Sequence, residues 1–128
     1  METITLHGTD ERLYRFLAPL VMDPGVIRYN NNYPFKTTDA HTWYICLDGN
    51  DVAGFIPAKN TPRGIHLDNY YIRDDDPAVL GLLICRILDD ASGSVTALCH
   101  KRHSHTFGLH GFVTTSVLAK YDKMLHDK

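Results

Sequence analysis

Thr42-Trp43-Tyr44-Ile45-Cys46-Leu47-Asp48-Gly49-Asn50-Asp51-Val52-Ala53-Gly54-Phe55-Ile56 is the stretch that decides the fold. Its first six residues are β-branched, aromatic or apolar, which suits a pleated, largely buried strand. Asp48-Gly49-Asn50 tolerates the positive φ of a tight turn, and Val52 to Ile56 runs back, so the segment predicts a hairpin. Pro57 ends pairing or marks an edge. A third strand is expected from Gly64 to Ile72. Its alternation puts His66 and Asp68 on one face, with Ile65 and Leu67 on the other. Asp74-Asp75-Asp76-Pro77 then opens the strongest helix, with aspartate at the cap and proline in the first turn. Val79, Leu80, Leu83, Ile84, Ile87 and Leu88 form its buried stripe, widened by Leu82 and Cys85. Ala91-Ser92-Gly93 ends it.

Working outward, Ile4 to Leu6 reads as a first strand. Thr9 or Asp10 caps a helix whose apolar face is Leu13, Phe16, Leu17, Leu20 and Val21, kinked or shortened by Pro19. Asp23-Pro24 starts a second short helix, and Asn30 to Pro34 is a polar loop. Beyond the central helix come a strand at Val95 to Cys99, a polar and plausibly helical segment from Lys101 to Leu109, and a strand at Val113 to Leu118. Lys120 to Leu125 is a last strand or a short helix. Antiparallel runs combined with one β-α-β crossover give an α/β protein (an α+β mixed sheet) with helices on both faces.

The chain has 128 residues, enough for one domain, taken as residues 1–128. An apolar fraction of 44% with 22% charge is that of a folded protein rather than a disordered one. The net charge of −2 argues against a general nucleic-acid binder. No apolar run approaches a membrane span, and the N-terminus has no secretion signal, which places the protein in the cytoplasm. Cys46, Cys85 and Cys99 have no Cys-x-x-Cys spacing and read as three reduced core thiols, so no metal site is expected. A monomer or a homodimer fits this size.

The order of elements resembles the GCN5-related N-acetyltransferase (GNAT) fold, an acyl-CoA N-acyltransferase fold with a central mixed sheet flanked by helices. Trp43 to Ile56 looks like the family's second and third strands. Leu67-Asp68-Asn69-Tyr70-Tyr71-Ile72 looks like its fourth strand. Gly111-Phe112 followed by Tyr121, Met124 and Lys128 looks like its closing pattern. The resemblance implies transfer of an acetyl group from acetyl-CoA, as co-substrate, to a primary amine of a small molecule or peptide. It assigns cofactor binding to Tyr71, Ile72, Pro77, Ala78 and Gly81, with the Tyr71 and Ile72 backbone amides as carbonyl donors. The alternative is a non-catalytic binding or interaction module of the same fold that has lost coenzyme A.

Two departures bear on that choice. The family's basic residue and paired glycines, which let backbone N–H groups approach a pyrophosphate at a helix N-terminus, are replaced by Arg73-Asp74-Asp75-Asp76-Pro77-Ala78-Val79-Leu80-Gly81. Only Gly81 could keep a family glycine, and three aspartates oppose a diphosphate. The tyrosine that many members use to protonate the leaving thiolate is Phe107 here, and phenylalanine has no proton to give.

Acetyl transfer to an amine needs a base, for which His66 and Asp68 are candidates, histidine having the better-placed unperturbed pKa. Both are otherwise solvent-facing residues on a half-covered strand. His100, His103, His105 and His110 form the most unusual local group. His105, with His103, is a candidate catalytic acid or substrate contact, against a metal site or a solvated loop. Tyr29, Tyr33, Tyr44, Tyr70 and Tyr71 either hold a substrate or serve as core and edge residues.

Overall fold

The structure is a computed structural model that describes residues 1–127, so Lys128 of the expected closing pattern lies outside it. The elements run β1 (Glu2–His7), α1 (Glu11–Val21), α2 (Pro24–Tyr29), β2 (His41–Asp48), β3 (Asp51–Thr61), β4 (Gly64–Leu67) and β5 (Tyr71–Ile72). After a short 3-10 turn at Arg73–Asp75 come α3 (Pro77–Asp90), β6 (Val95–His100), α4 (Ser104–Leu109), β7 (Val113–Val117) and β8 (Tyr121–His126). The sheet order is β1-β2-β3-β4-β6-β8-β7, with β5 also paired to β3. Among the described residues only β4 and β6 pair in parallel, because α3 carries the chain across between them. The terminal segment is a strand, one of the two forms expected for it.

The hairpin forms where its residues require. Gly49 takes φ 62° at the turn, and Thr42 to Cys46 pair antiparallel with Ala58 to Gly54. Both faces of β2 are covered, since Tyr44 and Cys46 point into one core and Trp43, Ile45 and Leu47 into the other. The first core lies under α3 and α4, the second under α1. Asp10 is the cap of α1, accepting from the Arg12 amide at 2.9 Å, and Pro19 sits in the last turn of that helix. At Gly54 a side chain would meet the Tyr71 carbonyl at 2.9 Å and Val79 at 3.0 Å. Glycine there lets β3, β5 and α3 close up.

Three expectations are corrected. The strand from Gly64 to Ile72 is two strands, because Asn69 adopts φ 51° and turns the chain between β4 and β5. The buried stripe of α3 is narrower than its apolar content suggests: Leu82 and Cys85 face solvent. Their positions fall on the side of α3 turned away from the sheet, where Cys85 Sγ lies 3.6 Å from His110 Nδ1. Cys85 is therefore not a core thiol, while Cys46 and Cys99 are buried.

Leu83 is fully buried at the centre of the α3 stripe. Leu83→Ala should cost about 2–5 kcal/mol, read from the midpoint of a urea titration. A loss below about 0.5 kcal/mol would mean that α3 does not anchor this core.

Candidate functional site: a parted pair of strands

β4 and β6 are bonded only from Ile65–Val95 to Leu67–Ala97. Beyond that point they part. β5 turns to β3 through Gly54–Ile72 and Phe55–Tyr71, while Leu98 to His100 pair with β8 alone. On the α1 and α2 side of this parting lies a pocket of about 170 Å³, lined by Tyr33, Asp68, Asn69, Leu98 and Tyr121. Asn30 donates to the Asn69 side chain at 3.2 Å and Asn31 to the Tyr121 hydroxyl at 2.9 Å, which fixes the polar loop over the pocket.

Tyr70 fills the parting from the other side. Its ring is 1% exposed and packs on His100, His103 and Phe107. Its hydroxyl accepts the His100 backbone N–H at 3.0 Å, so it bridges the segment before β5 to the end of β6. The same hydroxyl lies 2.7 Å from His103 Nδ1, and His103 Nε2 lies 2.7 Å from Asp75 Oδ1. One arrangement of protons satisfies every member. Asp75 accepts from His103 Nε2–H, and Nδ1 accepts from the Tyr70 O–H. Asp75 Oδ1 also accepts from the Tyr29 hydroxyl at 2.7 Å and from Arg102 Nε at 2.9 Å. The Arg102 guanidinium in turn lies 4.4 Å from the centre of the Tyr29 ring.

Protonation follows from this geometry. Burial alone would raise the Asp75 pKa, but hydrogen bonds from Tyr29, Arg102 and His103 outweigh it and hold the carboxyl at about 2. Burial pushes His103 below the ordinary histidine value, against the pull of Asp75. Burial, with Arg102 and His103 nearby, lowers His100 to about 4. Burial raises Tyr70 well above the ordinary tyrosine value.

The expected site residues separate into groups. His66 and Asp68 do share a face of the sheet, with His66 Nε2 3.4 Å from Asp68 Oδ2 and His66 Nδ1 2.8 Å from Thr96 Oγ1. Of the pair, Asp68 lines the pocket. His105 is exposed on α4, away from the Asp75 cluster, whereas His103, two residues earlier, is buried at its centre. Tyr71 is half-buried and meets the Tyr29 ring edge-on, while Ile72 is fully buried against β3. Pro77 and Ala78 form the first turn of α3, where the Ala78 N–H is taken by the Asp76 cap at 2.9 Å. Gly81 faces α4: a side chain there would lie 3.1 Å from His110 Nε2. Tyr44 stands on the α3 side of the sheet, donating to Asp90 at 3.0 Å, not near the pocket. Tyr70, Asp75, Tyr29 and Arg102 are the members that spacing did not group. The one available signal was a run of left-handed-tolerant aspartates where a glycine-rich loop was expected. Among the described residues, no cluster of three or more His, Cys, Asp or Glu side chains could hold a metal ion.

Searches against known proteins return structures only. No protein-family model matches the chain, and no curated protein matches it in sequence. ElaA from Escherichia coli superposes with a TM-score of 0.75 at 12% identity, over 99% of this chain and 100% of its own. An acyl-CoA N-acyltransferase from Pseudomonas aeruginosa gives 0.73 at 13% identity, over 98% and 99%. The Campylobacter jejuni N-acetyltransferase PseH in complex with acetyl coenzyme A gives 0.64 at 8% identity, over 99% of each chain. The chain therefore has the fold of the GCN5-related N-acetyltransferases, along its whole length. No helix is long and apolar enough to cross a membrane.

Acetyl-CoA is the co-substrate that this fold implies, and the residues present do not fit it. At the start of α3 the Ala78 N–H is taken by the Asp76 cap, no glycine precedes Gly81 in the loop, and the Tyr70 side chain bridges the parted strands. Phe107, at the position of the proton-donating tyrosine, is fully buried.

The histidines of this cluster predict how acid acts on the fold. His100 is held neutral down to about pH 4, whereas an unfolded chain protonates it near 6.5. The unfolded state therefore binds more protons across that window, and stability falls as pH drops from about 6.5 to about 4. Among the described residues His100 Nδ1 has no hydrogen-bond partner, and its ring already sits among Tyr29, Tyr70 and Tyr121, so phenylalanine can replace it. His100→Phe should remove on the order of 2–3 kcal/mol of this acid sensitivity, seen as a shallower fall of Tm between pH 7 and 4.5. A slope equal to that of the unmodified protein would mean that His100 is solvated.

Proposed function

We propose that this protein is a binding module built on the acetyltransferase fold, one that holds a small polar ligand at the parted strands and does not use acetyl-CoA. The observation that carries this is the Tyr70 hydroxyl, which spans the parting and is anchored to the His100 amide and, through His103, to Asp75. Moving Tyr70 aside would leave the His100 N–H and His103 Nδ1 without partners in a buried place, at a cost of about 1–3 kcal/mol for each. The loop that would meet a diphosphate is acidic, and its one neutralising contact, Arg102, is already spent on Asp75. The pocket of Tyr33, Asp68, Asn69, Leu98 and Tyr121 stays open on the opposite side, with a carboxylate and amide and hydroxyl groups to orient a small ligand. Calorimetric titration with acetyl-CoA and with free CoA tests the proposal. No binding up to about 1 mM is expected, and micromolar binding of either would overturn it.

A second reading keeps the N-acetyltransferase activity, with a small-molecule or peptide amine as acceptor. It is favoured by the His66–Asp68 pair on the strand that leads into the parting, where one of the two would take the proton from the amine. It is also favoured by the acyltransferase and acetyltransferase activities of proteins that share the fold. On this reading, His66→Ala or Asp68→Asn should lower turnover by about 10²–10⁴-fold in a thiol-release assay with a panel of amines. If neither variant slows a reaction that the unmodified protein performs, the base lies elsewhere.

A further inference from the structure

A second pocket lies apart from the parted strands. It is a pocket of about 210 Å³ between α1 and the segment from Phe35 to Thr37. Trp43, 1% exposed, lies at its floor, and Leu13, Leu17, Ala18 and Phe35 are among its walls. Nothing in the function proposed above uses it.

Its polar groups are few and mostly committed. Thr37 Oγ1 accepts from Trp43 Nε1 at 2.8 Å and donates to the Gly8 carbonyl at 2.7 Å. Asp10 caps α1 and holds Arg12 through two contacts of 3.1 and 2.8 Å, so its charge is locally balanced. Lys36 differs. Among the described residues no carboxylate pairs with it, and its one contact is the Tyr33 ring, 5.7 Å from the ammonium nitrogen to the ring centre. The pocket thus offers an apolar, aromatic-walled interior and one uncommitted cation among its lining residues.

We infer that this pocket binds a small aromatic carboxylate, its ring against Trp43 and Phe35 and its carboxylate on Lys36. The size supports this ligand class: a cavity of about 150 Å³ suffices for benzene, so about 210 Å³ takes one ring with a short acid chain. The chemistry supports it too. A charge-assisted pair with an ammonium is stronger than a neutral hydrogen bond, and the walls give an apolar ring a place to leave water. A cationic ligand would meet Lys36 with like charge.

The protein carries its own probe, because Trp43 is its one tryptophan. Fluorescence titration with phenylacetate, against the uncharged phenylacetamide, tests the inference on the whole chain. Saturable change with phenylacetate is expected, with the amide weaker. Lys36→Met should weaken phenylacetate about two- to fivefold and leave the amide unchanged, the range that an exposed ion pair contributes. Ala18→Phe, which fills the pocket, should abolish both. Lys36→Met is a surface change and decides the matter alone if Ala18→Phe proves to lower the Tm. The inference is overturned if neither compound gives a saturable change up to about 10 mM, if acid and amide bind alike, or if Lys36→Met weakens both equally. It is overturned also if binding survives in a folded Ala18→Phe protein. None of these results depends on whether acetyl-CoA binds, so the two proposals fail separately.

Discussion

One carboxylate oxygen, Asp75 Oδ1, accepts from Tyr29, Arg102 and His103, and the arrangement of the parted strands depends on it. The three donors come from α2, from the turn after β6 and from its end at α4, so a single acceptor ties together elements far apart in the chain. Asp74 and Asp75 pay for this with φ of 56° and 52°, a conformation that aspartate adopts at less cost than most side chains. Asp75 fixes the tautomer of His103, and His103 fixes the Tyr70 hydroxyl. From the Asp75 carboxylate to the Tyr70 hydroxyl each hydrogen-bonding group has a partner, which is what a buried polar network requires.

That chain of contacts occupies the α3 side of the parting within the acetyltransferase fold. β4 and β6 pair in parallel with α3 crossing between them, and they part after Leu67, where the turn at Asn69 sends the chain to β3. What fills the parting is a separate matter. Here a tyrosine fills it from the α3 side and a small polar pocket remains on the other. Architecture and chemistry separate at that point, as they do on other widely used folds.

The two pockets differ in the same physical terms. The one at the parted strands mixes Leu98 and tyrosine rings with polar groups, of which Asn69 and the Tyr121 hydroxyl are held by Asn30 and Asn31. The one under α1 is walled by the second hydrophobic core itself, where α1 and the Phe35 segment leave room above Trp43. A layer of short helices over a large sheet does not cover it evenly.

The hairpin, the cap and most of the core stripe of α3 follow from the sequence alone, as does the order of elements apart from the split of the third strand into β4 and β5 and the form of the last segment. These rest on local chemistry: the Asp48-Gly49 turn, the Asp76-Pro77 helix start, and apolar residues at strand and helix periods. It also placed His66 and Asp68 together, because residues two apart on a strand share a face. It misplaced Cys85 and Leu82, since an apolar side chain carries no mark of whether a second layer will cover it. The Asp74 to Asp76 run looked like one block of negative charge. Tertiary structure divided its work: Asp76 caps α3 while Asp75 turns to Arg102 and His103. Tyr29, Tyr70, Asp75, His100, Arg102 and His103 share no spacing. Only the turn at Asn69, the left-handed aspartates and the parallel pairing of β4 with β6 bring them to one place, because hydrogen bonds between distant residues are set by where the backbone goes and not by any local period.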